Sequence, residues 1–270
     1  MTPTRLHEHR VTATPEPEGW VVFLHGILGS GANWAGFARR LVEARPHLGA
    51  LLLDLRLHGR SDAGTPPHTV EAAARDVAHH LEEREIRPRV LSGHSFGSKV
   101  AFTAATLGRG TPDSIWLLDA DPGPRPEAAG RTTVLRVIEA LRSMPSSYPE
   151  REAFTSELVD RGFSAGLAGW LGKNLVRAGG ELHLQLDLDA IEAILEDYHA
   201  TDLWPRLLHP PCPVHCVVGG RSDVFSPGAR ERLEREAGAG RLLLHHLPSA
   251  GHWVHVDAPK GLLDAFLTAL

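Results

Sequence analysis

The run Gly93-His94-Ser95-Phe96-Gly97 holds the residues best suited to chemistry. Pro88 to Ser92 before it reads as a short buried strand, and Ser98 to Ala105 after it reads as a small-residue helix. A serine at such a strand-to-helix turn sits in a strained conformation with its hydroxyl presented outward. The glycines two positions either side remove side chains that would collide with neighbouring backbone. The helix behind Ser95 aims its N-terminal amides at developing negative charge. This arrangement prepares a weak nucleophile for acyl transfer; the structural alternative is a tight turn that happens to contain serine.

A serine nucleophile needs a base, an acid to orient the base, and donors for an oxyanion. The base candidate is His252 in Ala250-Gly251-His252-Trp253, on a loop between the last strand-like run and the final helix. His255 is its rival. His94 adjoins Ser95, but its side chain is expected to point away from the nucleophile. Two carboxylates could orient the base. Asp223 follows Gly219-Gly220-Arg221-Ser222, just after the penultimate core strand, and Asp119 ends the strand at Ser114–Leu118. Asp223 is preferred and Asp119 stays open beside it. The oxyanion donors are expected to be the backbone amides of Phe96 and of Ile27, in the turn His25-Gly26-Ile27-Leu28-Gly29-Ser30-Gly31. The spacing Gly26, Gly29, Gly31 fails the dinucleotide-binding pattern, and no phosphate-loop lysine follows. Asp54 to Asp62 forms another turn at the same edge, and His58 within it reads as structural.

Strand-like runs at Trp20–Leu24, Ala50–Asp54, Pro88–Ser92, Ser114–Leu118, Val214–Val218 and Leu242–Leu247 carry these residues. Helical patterns near 33–44, 70–84, 227–237 and 259–270 alternate with them. Apolar strands separated by helices predict an α/β fold with a mostly parallel, doubly wound sheet flanked by helices. Right-handed crossovers bring the strand C-terminal ends to one edge, where ligands bind. From Asp121 to Pro211 the rhythm breaks. Pro122-Gly123-Pro124-Arg125-Pro126 opens a stretch with helical patterns near 132–143, 150–162, 167–177 and 188–199 and no strong strand. It is read as a helical lid, so the expected organisation is core at 1–120, lid at 121–211 and core again at 212–270. Phe163, Leu167, Trp170, Leu171 and Tyr198 are expected to pack the lid rather than line a pocket.

The composition narrows the partners. A formal charge of −5 shows no basic excess, which argues against nucleic acid. No apolar run approaches a membrane-spanning length, and Met1–Gly19 is polar and proline-bearing, so a cytoplasmic location is expected. Cys212 and Cys216, four residues apart on one predicted strand, are roughly 13 Å apart and read as free thiols. The 17 histidines show no metal-ligand spacing, and His79-His80 and His245-His246 read as solvated or strand-face residues.

Taken together, His25–Ser30, Asp54–Ser61, Gly93–Gly97 and Gly251–His255 make the chain resemble the α/β-hydrolase superfamily over essentially its full length. Arg56 and Trp253 are similar to the small abhydrolase-domain esterases with a short helical lid. That resemblance implies hydrolysis of short-to-medium acyl esters or thioesters, with a small-molecule substrate and no cofactor or metal. It implies two acid positions: the Gly220–Asp223 pattern matches the commoner arrangement, and some short-lid members use the acid matching Asp119. The alternative function is a lyase or carbon–carbon hydrolase of the same fold acting on an acidic metabolite, as in menaquinone biosynthesis. Members of that kind share the His25–Trp34 loop pattern and need inward arginines, for which Arg125, Arg131, Arg136 and Arg177 are the lid candidates. A non-catalytic binding protein is disfavoured because every catalytic role has a candidate. Epoxide hydrolases and dehalogenases of this fold are disfavoured because they carry aspartate where Ser95 stands.

Overall fold

The computed structural model describes residues 2–107, 110–125 and 129–270, without the side chains of 129–133 and 227. Pro126 and the Arg131 side chain lie outside the described residues. The first half of the core runs β1 (Glu8–Val11), β2 (Gly19–Leu24), α1 (Ala35–Ala44), β3 (Leu48–Leu53), α2 (Val70–Glu83), β4 (Pro88–His94), α3 (Phe96–Leu107) and β5 (Ser114–Leu118). Its second half is β9 (Val214–Gly219), α9 (Pro227–Gly238), β10 (Leu243–Leu247), α10 (Val254–Asp257) and α11 (Pro259–Ala269). These strands form a seven-stranded sheet in the order β1-β3-β2-β4-β5-β9-β10. Every pairing is parallel except that of β1 with β3.

Both faces of the sheet are covered, which explains its continuous apolar strands. In β2, Val22 and Leu24 join the core cluster on one face, while Val21 and Phe23 join the other. Leu51 and Leu53 of β3 follow the first pair; Ala50 and Leu52 follow the second. Helix α3 is buried along ten of its twelve residues because it lies between the sheet and further helices. Thr69 caps α2, its hydroxyl accepting from the Ala72 amide at 3.0 Å. A buried ion pair ties α2 to the turn after β3: Arg56 Nε donates to Asp76 Oδ2 at 2.6 Å and Nη2 to Oδ1 at 3.1 Å.

The segment between β5 and β9 departs from the helical expectation. It contains α4 (Ala129–Arg142), α5 (Arg151–Asp160), α6 (Ala165–Leu171), α7 (Leu188–Ala200) and α8 (Trp204–Leu207). It also contains an antiparallel three-stranded sheet of β6 (Ser147–Tyr148), β7 (Leu175–Ala178) and β8 (Glu181–Leu184). The expected helix at 167–177 stops at Leu171 because Gly179 and Gly180, at φ +59° and +91°, close a two-residue hairpin between β7 and β8. The polar N-terminal stretch likewise holds a strand, β1, which pairs along the outer edge of β3. Cys212 precedes β9 rather than lying on it, and both cysteines are free thiols. His80 is buried, not solvated, and its Nε2 meets Glu8 Oε2 at 2.7 Å.

Candidate active site

Ser95 stands between β4 and α3 at φ +53°, the left-handed region that a non-glycine residue rarely adopts. Its amide donates to Leu118 O at 3.0 Å, anchoring the turn to β5. Ser98 one turn later reinforces it, donating to Gly93 O at 2.6 Å and accepting from the Leu118 amide at 3.0 Å. A Cβ on Gly97 would lie 2.6 Å from His25 O, and one on Gly93 would overlap the Gly97 backbone. Both glycines are therefore required by close backbone approach. Phe96 opens α3, so its amide is among those a helix leaves without an intrahelical partner.

The loop after β10 carries His252 to the same edge. Its Nδ1–H donates to Asp119 Oδ2 at 2.8 Å. Asp119 directly follows β5, is fully buried, and sits at φ +50°. Its carboxylate also accepts from the Gly219 amide at 2.8 Å and from the Ser222 hydroxyl at 2.5 Å. The structure thus brings Asp119, rather than the preferred Asp223, to the histidine. Asp223 stands at the cavity wall, where its carbonyl accepts from Arg125 Nη2 at 3.4 Å. Ser222 went unassigned in the sequence, although it lies inside the run that drew attention to Asp223. His94 does not simply point away from the site: its Nε2–H donates to His252 O at 2.8 Å, holding the histidine loop against the nucleophile turn. His255 lies buried, its ring stacked on Trp34 at a 4.3 Å centroid separation, and burial holds it neutral with its pKa lowered to about 3.

Two buried histidines shape the turn after β2. His25 donates from Nδ1 to Gly26 O at 2.8 Å and accepts the Leu55 amide on Nε2 at 2.9 Å. His58 donates from Nδ1 to Arg56 O at 2.8 Å and accepts the Leu28 amide on Nε2 at 3.0 Å. That last bond anchors the turn one residue beyond Ile27, where Leu28 sits at φ +61°. Desolvation lowers the pKa of His25 to about 4 and of His58 to about 3, which keeps each ring a fixed donor–acceptor bridge. His58 is structural, as expected, but it supports the loop that supplies a candidate oxyanion donor.

Ser95, His252, Ile27 and His94 open into a mostly apolar cavity of about 340 Å³. The segment between β5 and β9 supplies its far wall through Val137, Leu167, Trp170, Leu195 and Tyr198. Leu167, Trp170 and Tyr198 thus line the cavity, where packing alone was expected. Tyr198 is buried on that wall, and desolvation pushes its pKa up to about 12. Among the described arginines of that segment named above, Arg125 lines the cavity. Arg136 lies over the Phe163 ring at 5.9 Å, and Arg177 donates to Gly180 O at 2.6 Å. Among the described residues, no group of three or more His, Cys, Asp or Glu side chains could hold a metal ion. No helix among them is long and apolar enough to cross a membrane.

A family-wide profile described as "Alpha/beta hydrolase family" matches residues 21–265. The chain belongs to the α/β-hydrolase family. It is similar to the sn-1-specific diacylglycerol lipase ABHD11 of Mus musculus, at 28% identity over 93% of this chain and 80% of that protein. It is also similar to Esterase YbfF of Escherichia coli, at 24% identity over 91% of this chain and 90% of that protein. Among solved structures it superposes on a marine microorganism esterase with a TM-score of 0.85, at 23% identity, covering 99% of this chain and 100% of the other. These likenesses support a hydrolase of the abhydrolase-domain kind.

Proposed function

We propose that the protein is a serine hydrolase that cleaves short-to-medium acyl esters through an acyl-enzyme. The observation that carries this reading is the convergence of Ser95, held at φ +53°, with His252 and its 2.8 Å bond to Asp119, on one apolar cavity. His252 Nε2 takes the Ser95 proton while Asp119 fixes the Nδ1–H tautomer and supports the imidazolium that forms. Ser95 Oγ attacks the acyl carbon, and the carbonyl electron pair moves onto oxygen. The Ile27 and Phe96 amides receive that oxyanion. His252 then protonates the departing alcohol, and water repeats the sequence on the acyl-enzyme. Segment 121–211 acts as the lid whose apolar inner wall selects acyl groups by size; thioesters of similar acyl size share the route.

The lyase alternative needs several cationic groups facing an acidic substrate. Arg125 is the single described lid arginine named above on the cavity wall, and its Nε lies 3.9 Å from Asp121 Oδ2. The mostly apolar wall favours an uncharged acyl chain instead.

The test is kcat/KM on p-nitrophenyl acetate, butyrate and octanoate, for the wild type beside Ser95→Ala and His252→Ala. Turnover by the wild type, lost in both variants with the fold intact by circular dichroism, is the expected result. Full turnover by Ser95→Ala, or none by the folded wild type, would overturn the reading.

A further inference from the structure

The segment between β5 and β9 closes on itself where it leaves the core. The Arg125 amide donates to His199 O at 2.7 Å, and the Leu203 amide donates to Pro122 O at 2.8 Å. These two bonds join the start of the segment to the C-terminal end of α7. Lys99 lies beside this junction. It stands on α3 one helical turn beyond Ser95, is 2% exposed, and does not line the cavity. Its Nζ donates to Gly123 O at 2.8 Å, Tyr198 O at 3.0 Å and Thr201 O at 2.6 Å. All three N–H donors of the ammonium are thereby used. Nζ also lies 4.8 Å from the centroid of the Tyr198 ring, within cation–π range. Asp121, Asp197 and Asp202 favour its charge, while Arg125 opposes it. Burial lowers its pKa to about 8, which leaves it protonated at neutral pH.

A residue needed only for packing at this position would be apolar, because burying an ammonium is costly. Lysine supplies geometry instead, and its grip ends on the cavity wall. Leu195 and Tyr198 of α7 line the cavity into which Ser95 opens, and Lys99 holds Tyr198 by both its carbonyl and its ring. Resting on the serine-hydrolase reading above, we infer that Lys99 is a positioning residue that fixes α7 relative to the nucleophile helix and so sets the longest acyl chain the cavity accepts. Ser95 and Lys99 sit one turn apart at the start of α3. The separation between the nucleophile and the α7 wall is therefore fixed through one side chain, not through the whole length of the lid. The wall cannot retreat without breaking three charge-assisted hydrogen bonds. A separate tie runs from the Val70 amide of α2 to Asp197 Oδ2 at 2.7 Å. It keeps α7 docked when the Lys99 grip is removed, but leaves the Tyr198 end free to shift outward.

The test is kcat and KM on p-nitrophenyl acetate, butyrate, octanoate and decanoate for wild type, Lys99→Met and Lys99→Gln, with amide hydrogen exchange on the same proteins. Methionine keeps an unbranched apolar stem and removes every donor, whereas glutamine keeps two N–H donors. In Lys99→Met the ratio of kcat/KM on decanoate to that on butyrate should rise on the order of tenfold, chiefly through a lower KM for decanoate. Lys99→Gln should show the same rise in smaller measure. The Arg125 and Leu203 amides should exchange faster in Lys99→Met, while the Ser95 amide, bonded to Leu118 O in the core, keeps its protection. An unchanged or falling ratio, a loss shared equally by all the esters, or faster exchange throughout the core would overturn the inference. Failure of both variants to fold would overturn it as well, since Lys99 would then support the whole fold and not the lid wall. A wild type that turns over no ester would instead sink the function on which the inference rests.

Discussion

Asp119 Oδ2 accepts a 2.8 Å hydrogen bond from His252 Nδ1 across 133 residues of chain. Asp119 reaches this position by adopting φ +50° directly after β5, which turns its side chain under the loop that follows β10. Its two oxygens are further held by the Gly219 amide and the Ser222 hydroxyl, so the carboxylate is fixed before any substrate arrives.

From that bond follows a discriminating pair of substitutions. Asp119→Asn should keep the fold but present the wrong tautomer of His252, with kcat/KM on p-nitrophenyl butyrate falling about 10³- to 10⁴-fold. Asp223→Asn should cost little, because its carboxylate has no bond to the histidine. Ser222→Ala should fall between the two. A large loss confined to Asp223→Asn would return the acid role to that residue.

The candidate site was legible in the sequence where chemistry fixes local spacing. The Gly93–Gly97 turn, the His252 loop and the Gly26–Gly31 turn each carry their glycines and reactive side chains within a few residues, although the contacts that hold them come from elsewhere in the chain. The strand-helix alternation of the core was legible for a similar reason: strands covered on both faces must be continuously apolar. The acid was not fixed in this way. Asp119 and Asp223 both follow strands on the catalytic edge, and φ +50° at Asp119 decides between them, with no glycine to announce it. Nor did the sequence reading find the small sheet at 147–184. Its signal was present in Gly179-Gly180, but short strands at half-buried positions imitate the apolar spacing of a helix. Tyr198 could not be read as lining the cavity because helical spacing gives a face, not what that face meets.

The support of the oxyanion loop predicts a catalytic loss from a residue that lies one step from the chemistry. His58→Ala removes the acceptor for the Leu28 amide and frees a turn held at φ +61°. With the Ile27 amide misdirected, kcat should fall by up to about 10²-fold. Labelling of Ser95 by a fluorophosphonate should persist, since the serine turn does not depend on His58. Wild-type turnover in His58→Ala would show that the loop holds its shape without that bond.

Backbone approach at the nucleophile turn predicts failure of folding rather than failure of catalysis. Gly97→Ala would force a methyl carbon to 2.6 Å from His25 O and 2.7 Å from Leu24 O. Neither carbonyl can retreat, because both belong to the β2 end of the sheet. The variant should lose its cooperative thermal transition, and a native-like melting curve would contradict the packing described.

Buried neutral histidines predict how stability responds to acid. His25, His58 and His255 have pKa values lowered to about 4, 3 and 3 by burial. In the unfolded chain each titrates near 6.5, so below that pH the unfolded state binds more protons than the folded one. Stability then rises with pH, and it is lost as pH falls from about 6.5 towards 4, at up to about 4 kcal/mol per pH unit for three such groups. His255 isolates the effect. Neither of its ring nitrogens has a hydrogen-bond partner among the described residues, and its ring stacks on Trp34. His255→Phe keeps that stacking and removes the titration. At pH 7 the urea midpoint should change little, because the histidine is neutral in both states. At pH 5 the variant should be the more stable by about 2 kcal/mol, since only wild type loses free energy to proton uptake at position 255 on unfolding. Equal midpoints for the two proteins at pH 5 would mean that His255 takes up its proton in the folded state as readily as in the unfolded one.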